Sequence, residues 1–278
     1  MVGARHRLLS GDPRSRCSCR KGSTRVDASV SNRRAQRAIA SCLGSLIRRN
    51  INLFGQSVLT MRCQDVAVGT NSAKVEWLTV AGDPETWRSI GLAVSGDGLI
   101  PLFGTGLKIV LPVRADDAGI VGWGFSGIEP VQQIAGLPVD VVDAATPSFA
   151  DHALGATGLD HVVIMTSSLE TVSDAVTDAT GCALKRTREL GAITQGFHRI
   201  GRGGLIVEIV EHPDYNRGEA EFWGLVINVD DLDAACALLG PERVSEPKDA
   251  VQPGRRIATI RSQVGLGTAV ALMTQDNR

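Results

Sequence analysis

The chain has 278 residues, of which 43% are hydrophobic and 21% are charged, and its formal net charge is −1. This length allows one large or two ordinary globular domains with a substantial core. No apolar run approaches the roughly 20 residues that a membrane-spanning helix needs, so we expect no membrane segment.

Basic residues are concentrated at the start of the chain. Residues 1–60 hold 12 of the 29 Lys and Arg residues but only two acidic residues, Asp12 and Asp27. A segment rich in Arg, Ser and Gly and poor in aromatic residues buries little apolar area, so we expect 1–60 to be a disordered leader. A nucleic-acid-binding arm, a transit-like peptide and sequence upstream of a true start at Met61 stay open. For the rest of the chain we expect no nucleic-acid partner.

The six cysteines form no C-x-x-C pair, and three of them lie in the leader. The pattern is neither that of a zinc knuckle nor that of a disulfide framework. A reducing, cytoplasmic environment is therefore the expected location.

The next part of the chain, 61–150, is predicted to be an abbreviated domain. A strand-like segment precedes Asp83-Pro-Glu85, which is a strong helix start because it offers a cap, a proline at the first position and an early acid. Short strands follow, and a second set resembles the first and last strands of a unit that has lost its middle. The predicted strands are 75–80, 99–103, 107–113, 119–128 and 138–143.

The C-terminal part, 151–278, begins with a regular unit. After a strand at 161–165, the capping box of Ser167 and Glu170 predicts a helix that ends at Gly181. Three strands are expected to follow, so the unit is βαβββ. The predicted strands are 184–187, 195–200 and 205–211.

The sequence pattern of this unit is repeated 63 residues further along the chain. The shift carries 158–170 onto 221–233 and 205–210 onto 268–273, with apolar residues on apolar residues. A recurrence of two strands in one register predicts a duplicated unit. The modules are then 158–212 and 219–275.

Paired βαβββ units that contain Leu159-Asp-His-Val-Val-Ile164, Gln195-Gly-Phe-His-Arg-Ile200 and 205–211 resemble the vicinal oxygen chelate superfamily, which includes glyoxalases, bleomycin-resistance proteins and extradiol dioxygenases. The resemblance implies an α+β fold in which the modules form a cupped, partly open mixed sheet, with a degenerate N-terminal copy. It also implies a divalent Fe, Mn, Ni or Zn ion, with His161 and Glu208 as ligands.

The second module lacks the matching ligands, because His161 falls on Gly224 and Glu208 falls on Ala271. Two protein ligands hold a metal poorly, so the metal site is predicted to be incomplete. A second subunit could complete it, which leaves a homodimer open. Glu76 could also contribute, since it aligns with His161 when 85 is added.

The same residues support other chemistry. His161 and Glu208 could act as a catalytic general base and its orienting acid without a metal, or they could hydrogen bond to each other. Gln195 and His198 lie on one strand, where alternation allows only one of them to face the cup. We expect ligand-binding residues among Gln195, His198, Trp223 and Arg256.

Two classes of function stay open. The first is a glyoxalase-like protein that binds a small molecule in the cupped sheet, with a degenerate metal site. The alternative is a metal-dependent lyase, isomerase or dioxygenase acting on a small carbonyl or vicinal-oxygen substrate. Phosphate-binding glycine loops and the G-x-S-x-G elbow are absent from the sequence, which argues against nucleotide-dependent chemistry and acyl transfer.

Overall fold

The computed structural model describes residues 72–114, 117–145, 148–215 and 218–275. The predictions made for the leader lie outside the described residues. Within the described ranges, no helix is long and apolar enough to cross a membrane.

Two mixed sheets and three helices make up the described part of the chain. The helices are α1 (Pro84–Ser89), α2 (Leu169–Thr180) and α3 (Leu232–Leu239). The N-terminal sheet contains β1 (Lys74–Ala81), β2 (Leu99–Ile100), β3 (Gly106–Val110), β4 (Gly119–Ser126), β5 (Gln133–Ile134) and β6 (Leu137–Val141). The C-terminal sheet contains β7 (Ala156–Thr166), β8 (Arg186–Leu190), β9 (Ile193–Arg199), β10 (Ile206–Glu211), β11 (Glu221–Val229), β12 (Lys248–Asp249), β13 (Arg256–Thr259) and β14 (Ala269–Thr274).

The C-terminal sheet has two βαβββ modules joined side by side. Its strand order is β12-β13-β14-β11-β7-β10-β9-β8, with the first strands of the modules, β7 and β11, antiparallel at the centre. Each first strand pairs in parallel with the last strand of its own module, His161 opposite Ile206 and Gly224 opposite Ala269. These pairings have the register that the 63-residue shift predicts. The predicted α+β class with paired βαβββ modules is confirmed.

Helix α2 packs on one face of this sheet through an apolar stripe that includes Leu169, Val172 and Val176. The predicted capping box is wrong by one residue, because the N-cap is Ser168, whose hydroxyl accepts from the amide of Thr171. The carboxylate of Glu211, at the end of β10, accepts from the amide of Leu169 at 2.7 Å. The amide of the N-cap residue Ser168 itself donates to the hydroxyl of Thr166 at 3.1 Å, so this hydroxyl takes the place that the sequence assigned to Glu170.

The face of the C-terminal sheet opposite the helices is called the helix-free face below. A methyl group added at Gly196 would meet the side chain of Leu169 on α2, so Gly196 and His198 point towards the helices. Alternation along β9 then places Gln195 on the helix-free face. The paired registers of β9, β10 and β7 place Glu208 and His161 on that face too.

The N-terminal sheet has a similar arrangement of strands, with six strands instead of eight. Its order is β2-β3-β1-β4-β6-β5, in which β1 pairs in parallel with β3 and antiparallel with β4. Strands β4 and β6 are parallel and no helix connects them, as expected of a unit that has lost its middle. A continuous core of buried apolar residues includes members of both sheets.

The register of the two sheets can be compared residue by residue. Trp77 forms the first pair of the parallel ladder in its sheet, with Gly106, and it pairs with Gly124 on the other side. His161 forms the first pair of the corresponding ladder, with Ile206, and it pairs with Val226 on the other side. The residue before each, Glu76 or Asp160, is the extra residue of a β-bulge. The alignment of Glu76 with His161 is therefore wrong by one residue. The structure places Glu76 at the position of Asp160 and Trp77 at that of His161.

Candidate functional site

A β-bulge brings two neighbouring side chains of β7 together. Neighbours on a regular strand point to opposite faces, but Leu159 pairs with Ile227 and His161 with Val226, which leaves Asp160 as the extra residue. Its carboxylate oxygen Oδ2 lies 2.7 Å from Nδ1 of His161. A carboxylate only accepts hydrogen bonds, so Nδ1 carries the proton and Nε2 is the ring nitrogen that faces outward.

Glu208 lies on the other side of the imidazole. Its oxygen Oε2 is 3.5 Å from Nε2 of His161, which is longer than a normal hydrogen bond. Its other oxygen, Oε1, accepts from the amide of Gln195 at 2.6 Å. The side chains of His161 and Glu208 are each 12% exposed.

Arg255 completes a polar chain that crosses the sheet, and sequence reasoning missed it. Its guanidinium donates to Asp160 at 2.6 Å, to the side-chain oxygen of Asn228 at 2.6 Å and to the carbonyl of Thr274 at 2.8 Å. The neighbouring Arg256 instead forms an ion pair at 2.6 Å with Asp233, in the first turn of α3. Of two consecutive arginines at the start of a strand only one can turn inward, and this alternation was the available signal.

Burial and charge act against each other on these groups. Burial opposes the ionisation of Asp160, but its hydrogen bond to His161 and the charge of Arg255 outweigh it and lower its pKa to about 2. Burial disfavours the charged form of His161, yet the hydrogen bond to Asp160 and the charge of Glu208 raise its pKa above the ordinary value. Burial raises the pKa of Glu208, against the attraction of His161 and of Arg186 and Arg188 on β8.

The other predicted site residues have different surroundings. His198 is 1% exposed under α2, where its ring nitrogens contact the carbonyl of Cys182 at 2.9 Å and the hydroxyl of Ser173 at 3.0 Å. Burial lowers the pKa of His198, so a neutral ring that donates to the carbonyl and accepts from Ser173 fits this position. Trp223 is half-buried at a second bulge, between the pairs of Phe222 and Gly224. Of the predicted site residues, the structure brings Gln195, His161 and Glu208 together, and no others.

Several solved structures are similar to part of the chain. Methylmalonyl-CoA epimerase from Mycobacterium tuberculosis has 21% identity and a TM-score of 0.38, and the match covers 44% of this chain and 90% of that one. A variant of the Streptomyces coelicolor epimerase in complex with 2-nitronate-propionyl-CoA has 19% identity, a TM-score of 0.37 and coverage of 44% and 96%. A hypothetical protein from Bacillus halodurans has 17% identity, a TM-score of 0.36 and coverage of 43% and 95%.

No family model and no curated protein matches the chain. What the epimerases bind is a property of those proteins, and the site in this chain has to be argued from its own residues.

The donor set does not fit the divalent metal that the resemblance in sequence implies. Among the described residues, no group of three or more His, Cys, Asp or Glu side chains could hold a metal ion. Opposite His161 and Glu208, the second module has Gly224 and Ala271 in the corresponding pairings. A methyl group at Gly224 would lie 2.7 Å from the carbonyl oxygen of Ala269, so this position has no room for a ligand side chain.

Proposed function

We propose that the helix-free face binds a small oxygen-bearing molecule between His161 and Glu208 without a metal. The observation that carries this proposal is the separation of 3.5 Å between Nε2 of His161 and Oε2 of Glu208. The other ring nitrogen and the other carboxylate oxygen already have partners, in Asp160 and Gln195. The two atoms that face the gap are therefore the ones a ligand would use.

A hydroxyl group that lies beside the pair suits these two atoms, because a hydroxyl can donate one hydrogen bond and accept another. It would donate to the carboxylate of Glu208 and accept from Nε2–H of the imidazolium of His161. Around the pair, the same face presents buried apolar side chains, including Val163 and Val226. A few polar groups on an apolar surface are typical of small-molecule sites.

A titration with hydroxyacetone tests the proposal, with acetone as the matched compound that lacks the hydroxyl. We expect hydroxyacetone to shift the imidazole NMR signals of His161 in a saturable manner and acetone to shift them far less. The signals of His198, which lies on the opposite face, serve as the internal control. Loss of the shift in Glu208→Gln supports the site. Equal shifts for both compounds, or none, contradict it.

A second candidate is a metal-free isomerase that moves a proton next to a carbonyl. The observation that favours it is the oriented imidazole of His161 beside Glu208, whose pKa burial raises towards neutrality. In such a step a proton leaves the carbon of the substrate for Glu208, while Nε2–H of His161 stabilises the enolate oxygen. Glu208 then gives the proton to the neighbouring carbon of the enediolate while the remaining hydroxyl proton passes to the other oxygen, so the carbonyl group moves by one carbon.

Deuterium exchange separates these two candidates with the same compound. In D₂O, an isomerase would replace the carbon-bound protons of hydroxyacetone with deuterium faster than buffer does, and Glu208→Gln would abolish the excess rate. A binding protein would shift the signals of His161 while the exchange stays at the rate of buffer. The metal-dependent alternative requires a third ligand, and it predicts exchange that stops when EDTA is added.

A further inference from the structure

We infer that the N-terminal sheet carries a second ligand site, separate from His161 and Glu208, which takes a planar aromatic carboxylate. A pocket of about 290 Å³ lies against β1 and β3, and its lining includes Lys74, Glu76, Trp77, Phe103 and Phe149. This volume is near the lower end of the range for small-molecule sites, so a ligand of one or two fused rings fits.

The aromatic side chains at the pocket suit a flat ring. Phe103 and Phe149 are 72% and 71% exposed, although large apolar side chains are normally buried. Their rings stack with centroids 6.4 Å apart and an angle of 25° between the planes. A planar ligand packed against them would remove this apolar surface from water, which is a favourable change.

The polar groups of the pocket favour an acceptor, and in particular an anion. Glu76 is buried with both oxygens occupied, at 2.6 Å from the hydroxyl of Ser126 and at 2.6 Å from the ammonium of Lys74. Lys74 is 40% exposed, and an ammonium has three donors, of which Glu76 takes one. The carboxylate of a ligand could take another, in a charge-assisted hydrogen bond.

Trp77 contributes its indole ring to the lining of the pocket. The indole N–H is itself buried and lies close to Gly124 on β4, so a flat ligand would contact the ring and not this donor. The ring is also held in place, because a methyl group at Gly124 would lie 2.5 Å from it and the ammonium of Lys108 lies 5.3 Å from its centroid.

The site differs in kind from the one in the C-terminal sheet. Trp77 and Lys108 occupy the sheet positions that His161 and Glu208 occupy there, since Lys108 pairs with Thr79 as Glu208 pairs with Val163. An acid–base pair is thus replaced by an indole and an ammonium, of which only the indole of Trp77 lines the pocket. The N-terminal site is therefore proposed for binding alone.

Saturation-transfer NMR with 2-naphthoate tests the inference on the full chain, and 2-naphthamide is the matched neutral compound. We expect saturable binding of the naphthoate and roughly tenfold weaker binding of the amide, because the charge-assisted bond to Lys74 is lost. Phe103→Ala and Phe149→Ala should each weaken the binding of naphthoate. Leu111→Ala, which removes another side chain that is 72% exposed but does not line the pocket, should not.

The remaining outcomes overturn the inference in distinct ways. Absence of saturable binding up to the solubility limit of naphthoate excludes the site. Equal binding of naphthoate and naphthamide excludes the role of the anion. Binding that survives both phenylalanine substitutions but is lost in Glu208→Gln places the ligand on the helix-free face instead. That last result leaves the proposed function standing, because hydroxyacetone binding is measured separately.

Discussion

The guanidinium of Arg255 lies 2.6 Å from the carboxylate of Asp160, and the two side chains are only 7% and 6% exposed. The residues are 95 positions apart, so this ion pair joins the turn before β13 to the first strand of the other module. The same carboxylate holds Nδ1 of His161. The orientation of the proposed site therefore depends on a contact between the two modules.

Arg255→Met should destabilise the fold far more than Arg256→Met, although the two residues are adjacent. The first change leaves Asp160 buried without its cation, which typically costs about 3–5 kcal/mol in the free energy of unfolding. The second removes an exposed ion pair with Asp233, and such pairs contribute little. Urea denaturation of both variants measures the difference. Equal losses of stability would contradict the assignment of Arg255 as the buried partner.

Asp160→Asn should lower the pKa of His161. The hydrogen bond and the charge of Asp160 both favour the imidazolium, and an amide supplies no charge. NMR titration of the His161 signals measures the pKa directly. His198 hydrogen bonds to the carbonyl of Cys182 and the hydroxyl of Ser173 on the opposite face of the sheet, so its titration should stay the same and serves as the control. An unchanged pKa of His161 would show that Asp160 does not control its ionisation.

Stability should fall in acid as Asp160 is protonated. Its pKa is lowered from 3.8 to about 2, so its contribution to stability is complete above pH 4 and is lost as the pH falls towards 2. A shift of this size corresponds to about 2 kcal/mol in the free energy of unfolding. The measurement is the unfolding free energy of the wild type and of Asp160→Asn between pH 5 and about 2. The difference between the two proteins should shrink as the pH falls, and a constant difference would contradict the cause.

Ala271→Glu should create a metal site that the wild type lacks. Ala271 lies on the helix-free face, one strand beyond Val226, which pairs with His161, so a glutamate there could supply a third donor. Isothermal titration with Ni²⁺ should detect binding in this variant, and His161→Ala in the same background should remove it. Gly224→His is expected to destabilise the sheet instead, because its Cβ would clash with Ala269.

The repeated pattern of apolar residues was enough to predict the paired modules. The shift of 63 residues predicted that β7 pairs with β10 in the same register as β11 pairs with β14. Residues that face the helices must be apolar in both modules, so the same pattern of apolar residues occurs in each pair of strands. Strand alternation predicted that only one of Gln195 and His198 faces the site, and the hydrogen bond to Glu208 shows that it is Gln195. His161 and Glu208 were identified through the resemblance to a family. They lie close together because β7 and β10 are neighbouring strands of the sheet.

The bulges were the part that sequence patterns could not predict. A bulge adds one residue without an obvious change in composition, and it turned Asp160 towards His161 and shifted Glu76 by one position. Arg255 was missed because, on a regular strand, its partner Asp160 would lie on the face opposite His161. Capping of α2 by Glu211 was missed because the interaction is between distant elements.

The most direct test of the central claim is a titration of EDTA-treated protein with hydroxyacetone, followed through the imidazole NMR signals of His161. A site made by Asp160, His161 and Glu208 alone predicts a saturable shift that is the same before and after Mn²⁺ or Zn²⁺ is added. A shift of the His161 signals that appears only when the metal is present would contradict the claim.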